Sequence, residues 1–234
     1  MNPKSVVYLI PALLDETAVH TIPHYIVDAI KQCQVIFAEN ERSTRRYLKK
    51  IFPEITIDNY EWFTIHNIEN EQVSIFKRKI AEEKNIAIIS EAGCPGVADP
   101  GQLLVKAAYE LNVTVQPLVG PSAVLLALMA SGMSGQQFQF VGYLPIEIKD
   151  RMAKIKELEE ESTRKKCTQI FIETPYRNNQ LVETILKSCK PSTMFCIASE
   201  LTSKNEFIKT RSIGAWRNHK IDLHKKPAIF LLFA

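Results

Sequence analysis

The chain has 234 residues, 46% hydrophobic and 24% charged, with 29 Lys+Arg against 26 Asp+Glu for a net charge of +3. That composition excludes a disordered chain and a fibrous repeat, and the length suits two domains of roughly 100–150 residues. Residues 1–144 are net acidic and residues 145–234 net basic, which fits either a polyanionic partner or an ordinary solvated surface.

The segment SVVYLIP (5–11) reads as a buried strand ending in a turn over residues 11–16. In a dinucleotide-binding fold that turn is glycine-rich, so that the backbone can approach a pyrophosphate. Here it reads ALLDE, so neither a nucleotide diphosphate nor a Walker loop is expected. Helical spacing follows over Ile22–Ile30, then a short strand, Val35–Ala38, delivering Glu39. ENERSTRRYLKKIF opens a helix with Ser43 and Thr44 as expected caps. Its Arg42, Arg45, Arg46, Lys49 and Lys50 form either a solvated face or a phosphate contact. A third strand over Tyr60–Ile65 ends at His66, a general base or a hydrogen-bonded structural histidine, and an amphipathic helix follows.

The stretch IAIISEAGCPGVADPG (86–101) is an apolar run of strand length emptying into a loop of glycines and prolines. Glu91, Cys94 and Asp99 are expected to face outward from it. The carboxyl end of such a strand is where open α/β sheets bind ligands. After a helix over 102–111 and a strand over 113–116, PLVGPSAVLLALMASG gives a second strand-to-helix junction. Pro121 is expected at the first helical position, with the Ser122 hydroxyl beside free amides. Two adjacent junctions make a pocket floor.

FQFVGYLPIEIKD closes the first part, and a domain boundary is expected near 143–149. Beyond it the pattern reads helix 151–166, strand 168–174, helix 178–189, strands 193–199 and 206–211, a short helix near 214–216 and a strand over Ala228–Phe233. Few helices intervene among these strands, which predicts a mixed sheet. The five cysteines are scattered without CxxC spacing, which indicates no metal site and fits a reducing cytoplasm. The apolar start lacks the length of a signal peptide, and the longest apolar stretch, 123–130, falls short of a membrane span.

In order along the chain, YLIP, AENER, His66, SEAGCP with DPG, PLVGPSA, VGYLP, FIETPYR and SELT resemble the tetrapyrrole methylase superfamily. Within it they resemble the small-subunit ribosomal RNA cytidine 2′-O-methyltransferases, where the corresponding motifs include AEDTR and SDAGTP. The resemblance implies an α/β, two-domain tetrapyrrole-methylase-like fold, with a mostly parallel N-terminal sheet (1–144) and a mixed C-terminal sheet (145–234). It further implies a homodimer, S-adenosyl-L-methionine bound between the domains, and methyl transfer to a ribose 2′-hydroxyl of small-subunit ribosomal RNA by in-line displacement at sulfur. Implied cofactor contacts are Leu14, Cys94, Val97, Ser122 and Ala123, with Ile172, Ala198 and Pro227 or Ala228 from the second domain. Candidate proton acceptors, unranked, are Glu39, His66, Glu91 and Glu173, and candidate RNA contacts are Arg42 and Arg177. Each arginine has an acidic neighbour, Glu39 or Glu173, as an alternative partner.

The chain departs from the family pattern at Asp15, usually glycine, at Glu91 for aspartate, at Cys94 for threonine, and at KKPA for a GEM-like stretch. Two rivals stay open: the same fold methylating a tetrapyrrole or other small molecule, and, given the departures at 15, 91 and 94, a homologue that binds cofactor or RNA without catalysis.

Overall fold

The computed structural model describes residues 5–65 and 69–234, in two compact units, Met1–Ser122 and Ala123–Ala234.

In the first unit, strands β1 (Val6–Ile10), β2 (Val35–Ala38), β3 (Glu61–Thr64), β4 (Ile86–Ile89) and β5 (Thr114–Pro117) form one sheet. Its order is β3-β2-β4-β1-β5, and every pairing is parallel. Parallel neighbours need crossovers, supplied by α1 (Tyr25–Lys31), α2 (Glu41–Ile51), α3 (Glu69–Ala81) and α4 (Gln102–Glu110). Alternate strand residues point to opposite faces. Ile10, Ile36, Ala38 and Ile89 therefore pack with Ile26 and Ile30 of α1 and Leu48 of α2. Val7, Phe37 and Ile88 pack on the other side with Phe76 of α3 and Leu104 and Ala108 of α4. With both faces covered, central strands β2 and β4 are buried throughout, which is why they read VIFA and IAII without alternation.

The cap of α2 differs from expectation. Asn40 Oδ1 accepts from the backbone N–H groups of Arg42 and Ser43 at 3.1 and 3.3 Å, and Ser43 and Thr44 already lie inside the helix. The extended backbone of Asn40 aims its short carbonyl at those free amides.

The second unit comprises α5 (Ala123–Ser131), β6 (Phe138–Tyr143), α6 (Ile148–Lys165), β7 (Thr168–Ile172), α7 (Asn178–Ser188), β8 (Met194–Ser199), β9 (Phe207–Ser212), α8 (Ile213–Trp216) and β10 (Ala228–Phe233). Its sheet runs β6-β7-β10-β8-β9; β6 and β7 are parallel and the other pairs antiparallel, a mixed sheet. Phe171 and Phe195 stack on Phe230 at 6.1 and 6.0 Å, and Trp216 Nε1 donates to the Phe195 carbonyl at 2.8 Å. The expected boundary at 144/145 falls between β6 and α6, inside this unit. Strand β6 pairs with β7, and the Thr210 hydroxyl of β9 donates to the Ser131 carbonyl of α5 at 2.7 Å, so both preceding elements pack with the second sheet.

Candidate functional site

In the first unit the loops after β1, β4 and β5 are joined at the carboxyl ends of the strands, the edge where open α/β sheets bind ligands. Ala12 N donates to the Gly93 carbonyl at 2.8 Å and Gly93 N returns a bond to Ala12 at 3.2 Å. The backbone of Gly93 is left-handed, with φ +71°, and a Cβ there would touch Leu14 Cδ2 at 3.5 Å. Gly120 lies so close to Pro11 that a Cβ would come within 2.2 Å of the ring. The Cys94 thiol donates to the Pro121 carbonyl at 3.6 Å. Pro121 thus sits in the loop, two residues ahead of α5, rather than at its first position.

Two tyrosines brace these loops. Tyr47 of α2 donates to the Pro11 carbonyl at 2.6 Å, and the Tyr25 hydroxyl of α1 accepts from Val119 N at 2.6 Å. Neither role was visible in the sequence, because each is a contact between residues far apart in the chain. The only local signal is a polar-tipped ring on a helix of the correct unit.

The structure therefore brings Leu14, Cys94 and the Pro121–Ser122 turn together. Leu14, Cys94 and Ser122 are half-buried, Val97 is 48% exposed, and the Ser122 hydroxyl has no partner among the described residues. Ala123 follows as the first residue of α5.

Carboxylates rim this surface. Glu39, after β2, accepts from Glu91 N at 2.9 Å, and Glu91, after β4, accepts from the Ser43 hydroxyl at 3.0 Å. Asp99 was expected to face outward and is instead half-buried. Burial, then the charges of Glu39 and Glu91, push its carboxyl up to about 6, against a hydrogen bond from Ser90. Burial and the neighbouring Asp99 also raise the Cys94 thiol, which keeps it protonated and a poor nucleophile. His66 lies outside the described residues.

Arg42 is exposed and forms no ion pair among the described residues, so the alternative pairing with Glu39 is not made. Arg45 is engaged instead by Glu41 at 2.6 Å, with its guanidinium 4.9 Å from the Trp62 ring centre. Between α2 and the β1 loop lies a groove of about 180 Å³ lined by Leu14, Ser43, Arg46, Lys50 and Glu91.

In the second unit, strand register gathers the remaining predicted positions at one sheet end. Ile229 pairs with both Ile172 and Ala198, and Ala228 pairs with Ser199. Pro227 is exposed, whereas Ala198 is fully buried in a strand paired on both sides. Glu173, just past β7, is buried, and its Oε1 accepts from Thr174 N at 2.6 Å and from Arg177 Nε and Nη2 at 3.0 and 2.6 Å. Glu173 and Arg177 are thus one ion pair.

Residues 23–215 match the family model for tetrapyrrole (corrin/porphyrin) methylases. The chain belongs to the tetrapyrrole methylase family. Among curated relatives, the ribosomal RNA small subunit methyltransferase I of Buchnera aphidicola subsp. Schizaphis graminum is 30% identical over 99% of this chain and 79% of its own length. Its namesake from Escherichia coli O157:H7 is 30% identical over 92% of this chain and 73% of its own. The fold is shared with two solved tetrapyrrole methylase structures. The methyltransferase CobJ has a TM-score of 0.63 at 18% identity over 98% of this chain and 92% of that one. Uroporphyrin-III-C-methyltransferase from Thermus thermophilus gives 0.56 at 13%, over the same shares. As a member of that family, the protein is a methyltransferase. Among its described residues no helix is long and apolar enough to cross a membrane.

Proposed function

We propose that this methyltransferase uses S-adenosyl-L-methionine to methylate small-subunit ribosomal RNA at a ribose 2′-hydroxyl. The observation that carries the substrate is the likeness, over 99% and 92% of this chain, to ribosomal RNA small subunit methyltransferases. At 18% and 13% identity the two solved structures share the fold alone, so tetrapyrrole methylation is not favoured.

The joined loops fit the cofactor on their own chemistry. Leu14, Val97 and the protonated Cys94 offer an apolar surface, the free Ser122 hydroxyl a polar contact, and the glycine-free first turn no phosphate cradle. Glu39, Glu91 and Asp99 favour a cation over a phosphate nearby. When bound, the cofactor supplies a methyl group activated by a sulfonium. The chain has to hold the ribose hydroxyl in line and take its proton. Glu39 and Glu91 suit that role, since each keeps one carboxylate oxygen without a hydrogen-bond partner among the described residues. Glu173 is closed in its ion pair with Arg177 and suits it less. Ile172, Ala198, Pro227 and Ala228 are proposed as further cofactor contacts, and Arg42 and Arg177 as phosphate contacts.

A homodimer in the cytoplasm completes the proposal. Helix α5, AVLLALMAS, carries no charged residue, yet leaves Leu125 52% and Met129 80% exposed one turn apart. A second copy offers an equally apolar face through two-fold symmetry. The five cysteines are free thiols, in keeping with a reducing compartment.

The test is incubation of the purified protein with small ribosomal subunits and labelled cofactor, followed by nuclease digestion and mass spectrometry of the nucleosides. A 2′-O-methylated nucleoside is expected. Cofactor binding without transfer to any RNA would sink the proposal.

A further inference from the structure

We infer that Tyr176 is a stacking platform for an unpaired base of the RNA substrate, set beside the guanidinium of Arg177. The inference rests on the ribosomal RNA reading above and assigns a residue that reading does not use.

Tyr176 is 70% exposed, although it sits in a segment fixed on both sides. Arg177 N closes a turn onto the Thr174 carbonyl at 2.9 Å, and the buried Glu173 holds the Arg177 guanidinium through two bonds. The chain over 222–226 is stitched to the same segment. Lys225 N donates to the Pro175 carbonyl at 3.1 Å, Asn178 Nδ2 to the Lys226 carbonyl at 2.7 Å, and Leu223 N to Asn179 Oδ1 at 2.8 Å. His224, on that stitched chain, meets the Tyr176 ring edge-on, with centroids 5.9 Å apart and planes at 73°. The ring is thus oriented from one side and open on the rest.

An exposed ring held in place loses little side-chain freedom on binding, which is what a stacking surface needs. The groups around it suit RNA. Arg177 keeps 30% of its side chain exposed, and Lys225 is exposed without an ion pair among the described residues. Lys226 is paired with Glu200 at 3.0 Å, and Asp222 is occupied by Asn179 and the His224 backbone. Aromatic rings interleaved with cations bind single strands by stacking bases and neutralising phosphates, and a base on such a ring contributes about 1–3 kcal/mol.

The experiment compares wild type, Tyr176→Ala and Tyr176→Phe in two assays. One is anisotropy with a fluorescent single-stranded oligoribonucleotide and with an abasic strand of equal length. The other is methyl transfer to small ribosomal subunits. Wild type and Tyr176→Phe are expected to prefer the strand with bases. Tyr176→Ala is expected to bind both strands alike and to raise KM for the subunit by about 5- to 150-fold, with cofactor affinity and melting temperature unchanged. Equal strand preference in wild type and Tyr176→Ala, with equal KM, overturns the platform while leaving the methyltransferase reading intact. Base preference that depends on Tyr176 in a protein that methylates no RNA upholds the platform and removes that reading instead.

Discussion

Replacing Gly120 by alanine tests whether the joined loops form the cofactor site. The new Cβ would lie 2.2 Å from Pro11 Cβ and 2.4 Å from its Cγ, against the roughly 3.5–4.0 Å that two carbons need. The Pro11 ring cannot swing away, so the backbones must part by roughly 1.3–1.8 Å. Little slack exists: Leu118 N is bonded to the Leu9 carbonyl at 3.1 Å, and Ala12 is bridged to Gly93 one residue past Pro11. The overpacking costs about 1–3 kcal/mol, which lowers the melting temperature by about 2–12 °C in a chain this long. A loop shift of that size also misplaces Leu14 and Cys94, and a misplacement of about 1 Å costs on the order of 100-fold in rate. Thermal melts, cofactor calorimetry and methyl transfer would be measured together, with Gly135→Ala as control, since its Cβ meets nothing within 4 Å. Gly120→Ala with normal melting refutes the packing argument. A lower melting temperature with undiminished cofactor affinity refutes the placement of the site.

Three further outcomes are expected. Glu173→Gln keeps an acceptor for Thr174 and Arg177 but loses the charge, and it places an amide where Glu173 Oε2 is buried without a partner. Its urea midpoint should fall by an amount worth about 1–3 kcal/mol with m unchanged, and an unmoved midpoint contradicts the buried pair. Asp99 ionises near 6 in the folded chain, above the ordinary 3.8, so the native state holds that proton more tightly and loses stability as pH climbs between those values. Asp99→Asn should therefore melt above wild type at pH 8 and level with it at pH 4; the same gap at both pH values excludes the linkage. Arg42→Ala should weaken RNA binding and flatten its log–log salt dependence by about 0.7–1, leaving cofactor affinity alone, and an unchanged slope removes Arg42 from the RNA contact.

The central strands were legible because the first sheet buries them on both faces. VIFA and IAII have no polar residue to blur their ends, and the predicted and observed bounds of β2 coincide at Val35–Ala38. The scarcity of helices between the later strands also foretold the mixed second sheet, which hydrophobic period alone did not. Hydrophobic period could not separate the units, since α5 has no polar face to reveal which sheet it covers. At the site, chain order alone placed Leu14, Cys94 and Ser122 at strand ends. What escaped were contacts set by three-dimensional register: Tyr25 and Tyr47 bracing the loops, Asp99 drawn inward beside two acids, and Glu173 spent on Arg177. Side chains with several partners of equal chemistry in the sequence are decided only by packing.

The departures from the family pattern each have a local partner, and this bears on whether the site still works. Asp15, where glycine is usual, makes its own turn by accepting from the Thr17 backbone and hydroxyl at 2.9 and 2.5 Å, so no left-handed residue is required there. Glu91, one methylene longer than aspartate, reaches across to Ser43 on α2. Cys94 keeps a donor where threonine would have one, and uses it on the Pro121 carbonyl. Within KKPA, Lys225 takes the left-handed backbone, φ +61°, that glycine adopts at no steric cost, and its N–H is held by Pro175. Substitutions accumulating in a site released from its task would be expected to leave loops unbraced. These four preserve the turns by other bonds, which supports an active methyltransferase over a homologue that only binds.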